Sequence, residues 1–278
     1  MPSTLISPDY LVATARNLPA APRTMARLQQ LLMDSHSGLP EIAALLRQDA
    51  ALAARIVSIA NSAAYGGGGL IGSIEEALQR VGFGEIFRLV GLVTSQAIST
   101  PLTCYGFTGE RMQAHTLYTG LAAESVARHA RLDARSAYTA GLLRRLGMVL
   151  LNQLGSQTLR AHEYFAQSGY GAVEKWEKAT FGYDHREVSV IVFEAWKFPS
   201  DIIAAASGGL DGPGATALSK VLVMADSLTR MCGQGLPGME GSHGVTTEER
   251  EANGLPEGAV DELLGEVRAA HASLGALG

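Results

Sequence analysis

The sequence predicts a protein built almost entirely of helices, and three observations carry that prediction. Ala, Leu and Gly dominate a composition that is 47% apolar but only 6% aromatic. That mix suits packed helices better than strands rich in Val, Ile and Tyr. Apolar residues recur at helical spacing along most of the chain. No segment sustains the strict alternation of a half-buried strand, and no fixed-period repeat is present.

Short helices follow one another from Pro8 to about Ser99. Met25, Leu28, Leu31 and Leu32 form one apolar stripe. Ile42, Leu45 and Leu46 form the next, after a Pro40 that suits a first helical turn. Asp49 is placed to cap the helix striped by Leu52, Ile56, Ile59, Ala60 and Ala63, which Gly66 to Gly69 end in a flexible turn. Ser73-Ile74-Glu75-Glu76 fits a capping box, in which serine and glutamate each satisfy a free backbone N–H. Gly82 stops that helix, and another runs from about Glu85 to Ser99.

Pro101 to Gly109 breaks the pattern and marks a subdomain boundary. Helices are predicted at about 110–131, 136–154, 158–168, 171–180, 183–197, 199–207 and 215–232. The stretch 233–256, with Gly233, Gly235, Gly238, Gly241 and Gly244, reads as a loop or linker. Val260, Leu263, Leu264 and Val267 make a final amphipathic helix. The division is therefore 8–100, 101–232, a 233–256 linker and a 257–276 helix.

At 278 residues the chain suffices for one large domain or two small ones, and 18% charged residues argue against disorder. A net charge of −5 with no basic stripe gives no reason to expect nucleic-acid binding. Cys104 and Cys232 lie far apart without a CxxC pair, so neither a zinc knuckle nor a disulfide framework is signalled. The N-terminus lacks a basic segment followed by an apolar one. No apolar run approaches the roughly 18 residues of a membrane span. The expectation is a soluble, cytoplasmic protein with no membrane contact.

Several blocks, in order, resemble the HDOD domain family. Leu18-Pro19-Ala20-Ala21-Pro22 resembles its opening, Ile42 to Leu52 its next helix, and Arg55 to Gly66, with Asn61-Ser62, its hallmark. Ser73 to Ala77 and Val81-Gly82-Phe83 resemble the family's next two blocks. Ala140-Gly141-Leu142-Leu143, His185 with Glu187-Val188, Trp196-Lys197-Phe198-Pro199 and Ala225-Asp226 complete the match over about residues 10–232. The resemblance implies an all-α fold in which an N-terminal helical bundle packs on an HD-like bundle. It also implies an output or adaptor role in bacterial signal transduction, often beside receiver or cyclic-dinucleotide-turnover domains. The chain leaves no room for such a fused domain, so signalling proteins such as response regulators or cyclic-dinucleotide enzymes are expected as partners in trans.

HD phosphohydrolases hold a divalent ion with a His, an adjacent His-Asp pair and a distant Asp, and the ion activates water. Here the resemblance puts His115 at the first histidine and Asp226 at the last aspartate, but the pair reads Arg144-Arg145. Guanidiniums are permanently charged donors without a lone pair for a metal. Paired histidines found in some HD relatives are replaced by Ala206-Ser207-Gly208-Gly209-Leu210. The expectation is a degenerate metal site (His115, Arg144, Arg145, Asp226), no cofactor and no enzyme activity. Either one of the two arginines pairs with Asp226, since neighbours on a helix cannot both face inward, or both point into solvent on an ordinary helix. A phosphohydrolase acting on a nucleotide or cyclic dinucleotide, and a sensor that holds phosphate without hydrolysis, are the alternatives.

Other residues have a functional and a structural reading. Asn61 and Ser62 either join two helices or touch a partner. Asp184 caps a helix with His185 in its first turn, or His185 contributes to a weak metal or anion site with His115 and Asp226. Trp176 and Trp196 anchor the core or line a groove between the lobes. Gly66 to Gly69 lack the Lys-Ser/Thr of a phosphate loop, His162-Glu163 lacks the second histidine of a zinc protease, and no nucleophile elbow is present.

Overall fold

The computed structural model describes residues 6–34, 36–62, 69–169, 171–212, 214–239 and 244–275. Among them the chain is all-α, and the only strand-like pairing is an isolated bridge between Leu102 and Phe107. Helices α2 (Ala20–Met33), α3 (Leu39–Arg47), α4 (Ala50–Ala60), α5 (Ile74–Val81) and α6 (Phe83–Ala97) pack on one another as an N-terminal bundle. Helices α7 (Gly109–His129), α8 (Ala134–Leu143), α9 (Leu146–Thr158), α10 (Val173–Phe181), α11 (His185–Ala195), α12 (Ser200–Ser207) and α13 (Ala217–Met231) build the second. The opening helix α1 (Pro8–Ala15) packs on α11 and α9 of that second bundle. No helix among the described residues is long and apolar enough to cross a membrane.

Local chemistry sets many helix starts. Asp49 accepts hydrogen bonds from the backbone N–H groups of Ala51 and Leu52, as its position predicts. Ser73 accepts from Glu76 N–H, while Glu76 reaches back to the N–H of Gly72, one residue earlier than a strict box. Gly82, at φ +85°, ends α5 and starts α6 in a conformation that L side chains resist. Cys104 and Cys232 are free thiols. Ala63 and Gly66 to Gly68 lie outside the described residues.

Three predicted elements differ. The single helix expected over 136–154 is two, α8 and α9, broken at Arg144-Arg145, where Arg145 leaves helical geometry (φ −102°, ψ 14°). The helix expected over 158–168 is replaced by 3-10 turns at Ala161–Glu163 and Phe165–Gln167. Tertiary partners draw its backbone away: Trp176 Nε1 donates to the Glu163 carbonyl (3.0 Å) and Phe165 N–H donates to the Cys104 carbonyl (2.8 Å). The 233–256 linker contains a helix, α14 (Thr247–Ala252). Thr246 and Glu249 cap it reciprocally, and the buried Glu249 accepts from Ser227 Oγ on α13 (2.8 Å). Residues 240–243 of that stretch lie outside the described residues. The last helix, α15 (Ala259–Gly275), lies along α7 and buries Leu263, Leu264 and Val267.

The bundles meet where α6 packs on α7 and α8, and α2 on α8. Gln29 of α2, 1% exposed, donates to the Arg135 carbonyl (3.0 Å) and to Thr139 Oγ1 (2.5 Å) of α8. Gln30 donates to the Lys197 carbonyl beyond α11 (2.6 Å).

Candidate functional site

The break between α8 and α9 turns two consecutive side chains inward. Arg144 Nε donates to Asp226 Oδ2 on α13 at 2.8 Å, and Arg145 donates through Nη2 to the same oxygen at 3.0 Å. All three residues are buried. The rule that i and i+1 cannot both face inward applies to a continuous helix, and this is not one. Both arginines therefore pair with Asp226, where one at most was expected. Burial opposes the Asp226 carboxylate, but the two guanidiniums outweigh it and hold its pKa well below the ordinary carboxylate range. Burial pulls the Arg144 pKa down, against the pull of Asp226.

The polar chain continues. Arg145 Nη1 donates to His185 Nε2 (2.8 Å), because a guanidinium has nothing to accept with. His185 Nε2 must then carry the lone pair and Nδ1 the proton, which it donates to Glu177 Oε2 (2.7 Å). Glu177 is fully buried; its Oε2 also accepts the His185 backbone N–H (2.9 Å), and its Oε1 accepts from Tyr105 Oη (2.7 Å). Burial, then Glu177, push the Tyr105 pKa well up, so the phenol keeps its proton. Two guanidiniums face two carboxylates, with a neutral imidazole between them, so the buried chain balances its formal charge. That is the condition under which ions tolerate a low-dielectric interior.

His115 stands beside this chain on α7. Its Nδ1–H donates to the Gln234 carbonyl (2.9 Å), while Nε2 has no hydrogen-bond partner among the described residues. Burial, then the charge of Arg145, push its pKa down to about 4. Arg144 Nη1, Arg145 Nε and Asp226 Oδ1 are likewise buried without partners among the described residues. These residues do not fit a divalent ion: Asp226 already answers two cations, and the arginines that hold it have no lone pair to donate.

The remaining candidates lie elsewhere. Asn61 closes α4 by exchanging two hydrogen bonds with Ile71, side-chain amide to carbonyl and backbone N–H to amide oxygen, each 2.9 Å. It thus ties α4 to the segment before α5. Ser62 Oγ is buried and has no partner among the described residues. Asp184 caps α11 with His185 in its first turn. Trp176 is a core anchor, edge-on to Tyr105 and Phe181 with centroids 5.0 and 5.5 Å away. Trp196 is half-buried at the end of α11, beside the Gln30 contact of the other bundle.

Tyr105 and Glu177 were not legible as members of a site. Glu177 sits in a charged run, Glu174-Lys175-Trp176-Glu177-Lys178, that resembles a solvated helix face. Its one distinguishing signal is its place one helical turn before Phe181 and beside Trp176, on the face that α10 buries.

The fold and this centre define a class: an all-α protein whose second bundle encloses a charge-paired polar core. The chain belongs to the HDOD domain family, whose sequence pattern matches residues 18–208. Solved structures share the fold. A candidate signal transduction protein from Marinobacter aquaeolei superposes with a TM-score of 0.71 at 21% identity, over 97% of this chain and 60% of that one. A candidate phosphohydrolase from Shewanella amazonensis gives 0.64 at 20% identity, over 95% of this chain and 94% of the other. An HDOD domain protein from Geobacter sulfurreducens gives 0.61 at 21% identity, over 94% and 89%. No curated protein matches the sequence.

Proposed function

We propose that this chain is a non-catalytic regulatory module of signal transduction that works through protein–protein contact. The single observation that carries the reading is the buried ion cluster: Arg144 and Arg145 both bind Asp226 at the place where a metal-using relative needs lone pairs. Membership of the HDOD family and the likeness to a candidate signal transduction protein support it. Response regulators or cyclic-dinucleotide enzymes, acting in trans, are the partners this reading favours. The junction of the two bundles near Trp196 and Gln30 is the surface it nominates.

The test is turnover. Purified protein, assayed with Mg²⁺, Mn²⁺ or Zn²⁺ against cyclic dinucleotides and nucleotide phosphoesters, is expected to hydrolyse none of them. Metal-dependent hydrolysis that disappears in Asp226→Asn would overturn the proposal. Partners captured from native extract are expected to bind the purified chain directly.

A second reading has one observation in its favour: Arg144 Nη1 and Arg145 Nε remain buried without partners among the described residues. A phosphate held there without hydrolysis would use those donors. Nucleotide binding by the wild-type chain, lost in an Arg144→Ala, Arg145→Ala variant, would select this reading over the first.

A further inference from the structure

The C-terminal helix meets the end of α7 through a group of side chains that the ion cluster does not involve. His129 is the last residue of α7, and Glu262 and Glu266 stand one helical turn apart on α15. One ligand atom from each of the three lies within 4.8 Å of the others, and His129 Nε2 is 3.0 Å from Glu266 Oε1. We propose that His129, Glu262 and Glu266 form a zinc-type site that clasps α15 to α7.

The chemistry fits a borderline transition metal. An imidazole nitrogen with two carboxylates suits zinc, whereas magnesium and calcium favour all-oxygen shells. Ligand atoms bonded at about 2.0–2.1 Å to one tetrahedral ion stand roughly 3.4 Å apart. The observed spacings, 3.0 Å for His129–Glu266 and at most 4.8 Å for the other pairs, bracket that distance, so side-chain rotation would close the three atoms on an ion. Three protein ligands leave a fourth position open.

The second oxygen of Glu266 is already occupied in the way a ligand carboxylate requires. Ser125 Oγ donates to Oε2, and Arg128 Nη2 pairs with it at 3.0 Å. Those contacts fix the carboxylate with Oε1 turned to His129. Arg128 is the cation that opposes the metal, but it faces the far oxygen. The two glutamates exceed it by one negative charge, and a divalent ion reverses that excess without enlarging it. His129 and Glu266 are only partly exposed, while exposed Glu262 gives the ion its entry.

The clasp would add to the apolar packing that already seats α15 on α7 and α13. Leu263, Leu264 and Val267 are buried beneath that helix, and His271 stacks on Tyr118 with ring centroids 4.2 Å apart. Zinc occupancy would hold the start of α15 down. This inference is independent of the Arg144–Arg145–Asp226 reading, because no residue is shared between the two sites.

Zinc chloride titrated calorimetrically into the untagged full chain tests it, with Glu262→Gln and His129→Gln as variants. Glu262 is exposed, so its substitution leaves the fold in place, as circular dichroism would verify. The expected result is one zinc per chain in the micromolar range, weakened at least about tenfold in each variant. Amide exchange over 259–275 should slow on adding zinc to the wild type and not to the variants. Absence of zinc binding would overturn the proposal. So would binding that both variants retain, which would place the metal elsewhere, the Asp226 cluster included.

Discussion

His115 shows how one buried side chain writes a pH dependence into the fold. In the folded chain its pKa lies at about 4, pressed down by burial and then by Arg145. In the unfolded chain it titrates near ~6.5. As pH falls the unfolded state therefore takes the proton first, and stability rises with pH between those two values. The contribution is fully present above about pH 6.5 and is lost progressively toward pH 4, a change of roughly 3 kcal/mol. His115→Gln should flatten this acid limb in denaturant titrations run across that range. An acid limb of equal slope in the variant would contradict the assignment. The same residue explains what was legible: His115 and Asp226 stand out in the sequence through a family resemblance, whereas Glu177 looked like one more surface charge. A buried carboxylate and a solvated one are the same letter, and only their neighbours distinguish them.

Between residue and bundle stands the junction of α8 with α9, where a glycine decides the geometry. A Cβ on Gly147 would collide with the His185 carbonyl oxygen and fall 2.8 Å from its carbon. Both are backbone atoms that cannot swing aside. Gly147 N–H donates to Ser189 Oγ (3.0 Å), which itself donates to the His185 carbonyl (2.9 Å), so α9 and α11 touch backbone to backbone. Gly147→Ala should force the helices apart at a cost of about 1–3 kcal/mol, seen as a lower thermal midpoint by about 2–4 °C per kcal/mol. It should also lengthen the Arg145–His185 contact, since both partners ride on the displaced elements. An unchanged midpoint would show that the close approach is not structural. The break that places Arg144 and Arg145 was hidden in the sequence because 136–154 keeps helical periodicity on both sides of it. The helix α14 was readable: Thr246-Thr247-Glu248-Glu249 is a capping-box signature, masked by the glycines before it.

For the whole molecule, the joint between bundles carries several polar contacts among the described residues: Arg88 of α6 pairs with Glu124 of α7 (2.9 Å), Tyr138 Oη donates to the Arg88 carbonyl (3.2 Å), and Gln29 donates twice to α8. Gln29→Leu keeps the volume but leaves Thr139 Oγ1 buried without that donor. The expected loss is about 1–3 kcal/mol, with faster amide exchange in α8. Equal exchange in variant and wild type would mean that the joint does not depend on Gln29. The opening helix α1 makes a related point. It belongs to the N-terminal segment in sequence but packs on α9 and α11, so the chain crosses between bundles at its start.

The sequence by itself determined the all-α class, most helix positions, and the caps at Asp49, Ser73 and Asp184. These are local properties, fixed by apolar spacing and by side chains that bond to backbone within a turn or so. Tertiary structure alone decided that both arginines reach one carboxylate, that Glu177 and Tyr105 extend the polar chain, and that α15 brings Glu262 and Glu266 to His129. Each of these depends on residues tens of positions apart. No local spacing records which of them the packed helices will bring within hydrogen-bond reach.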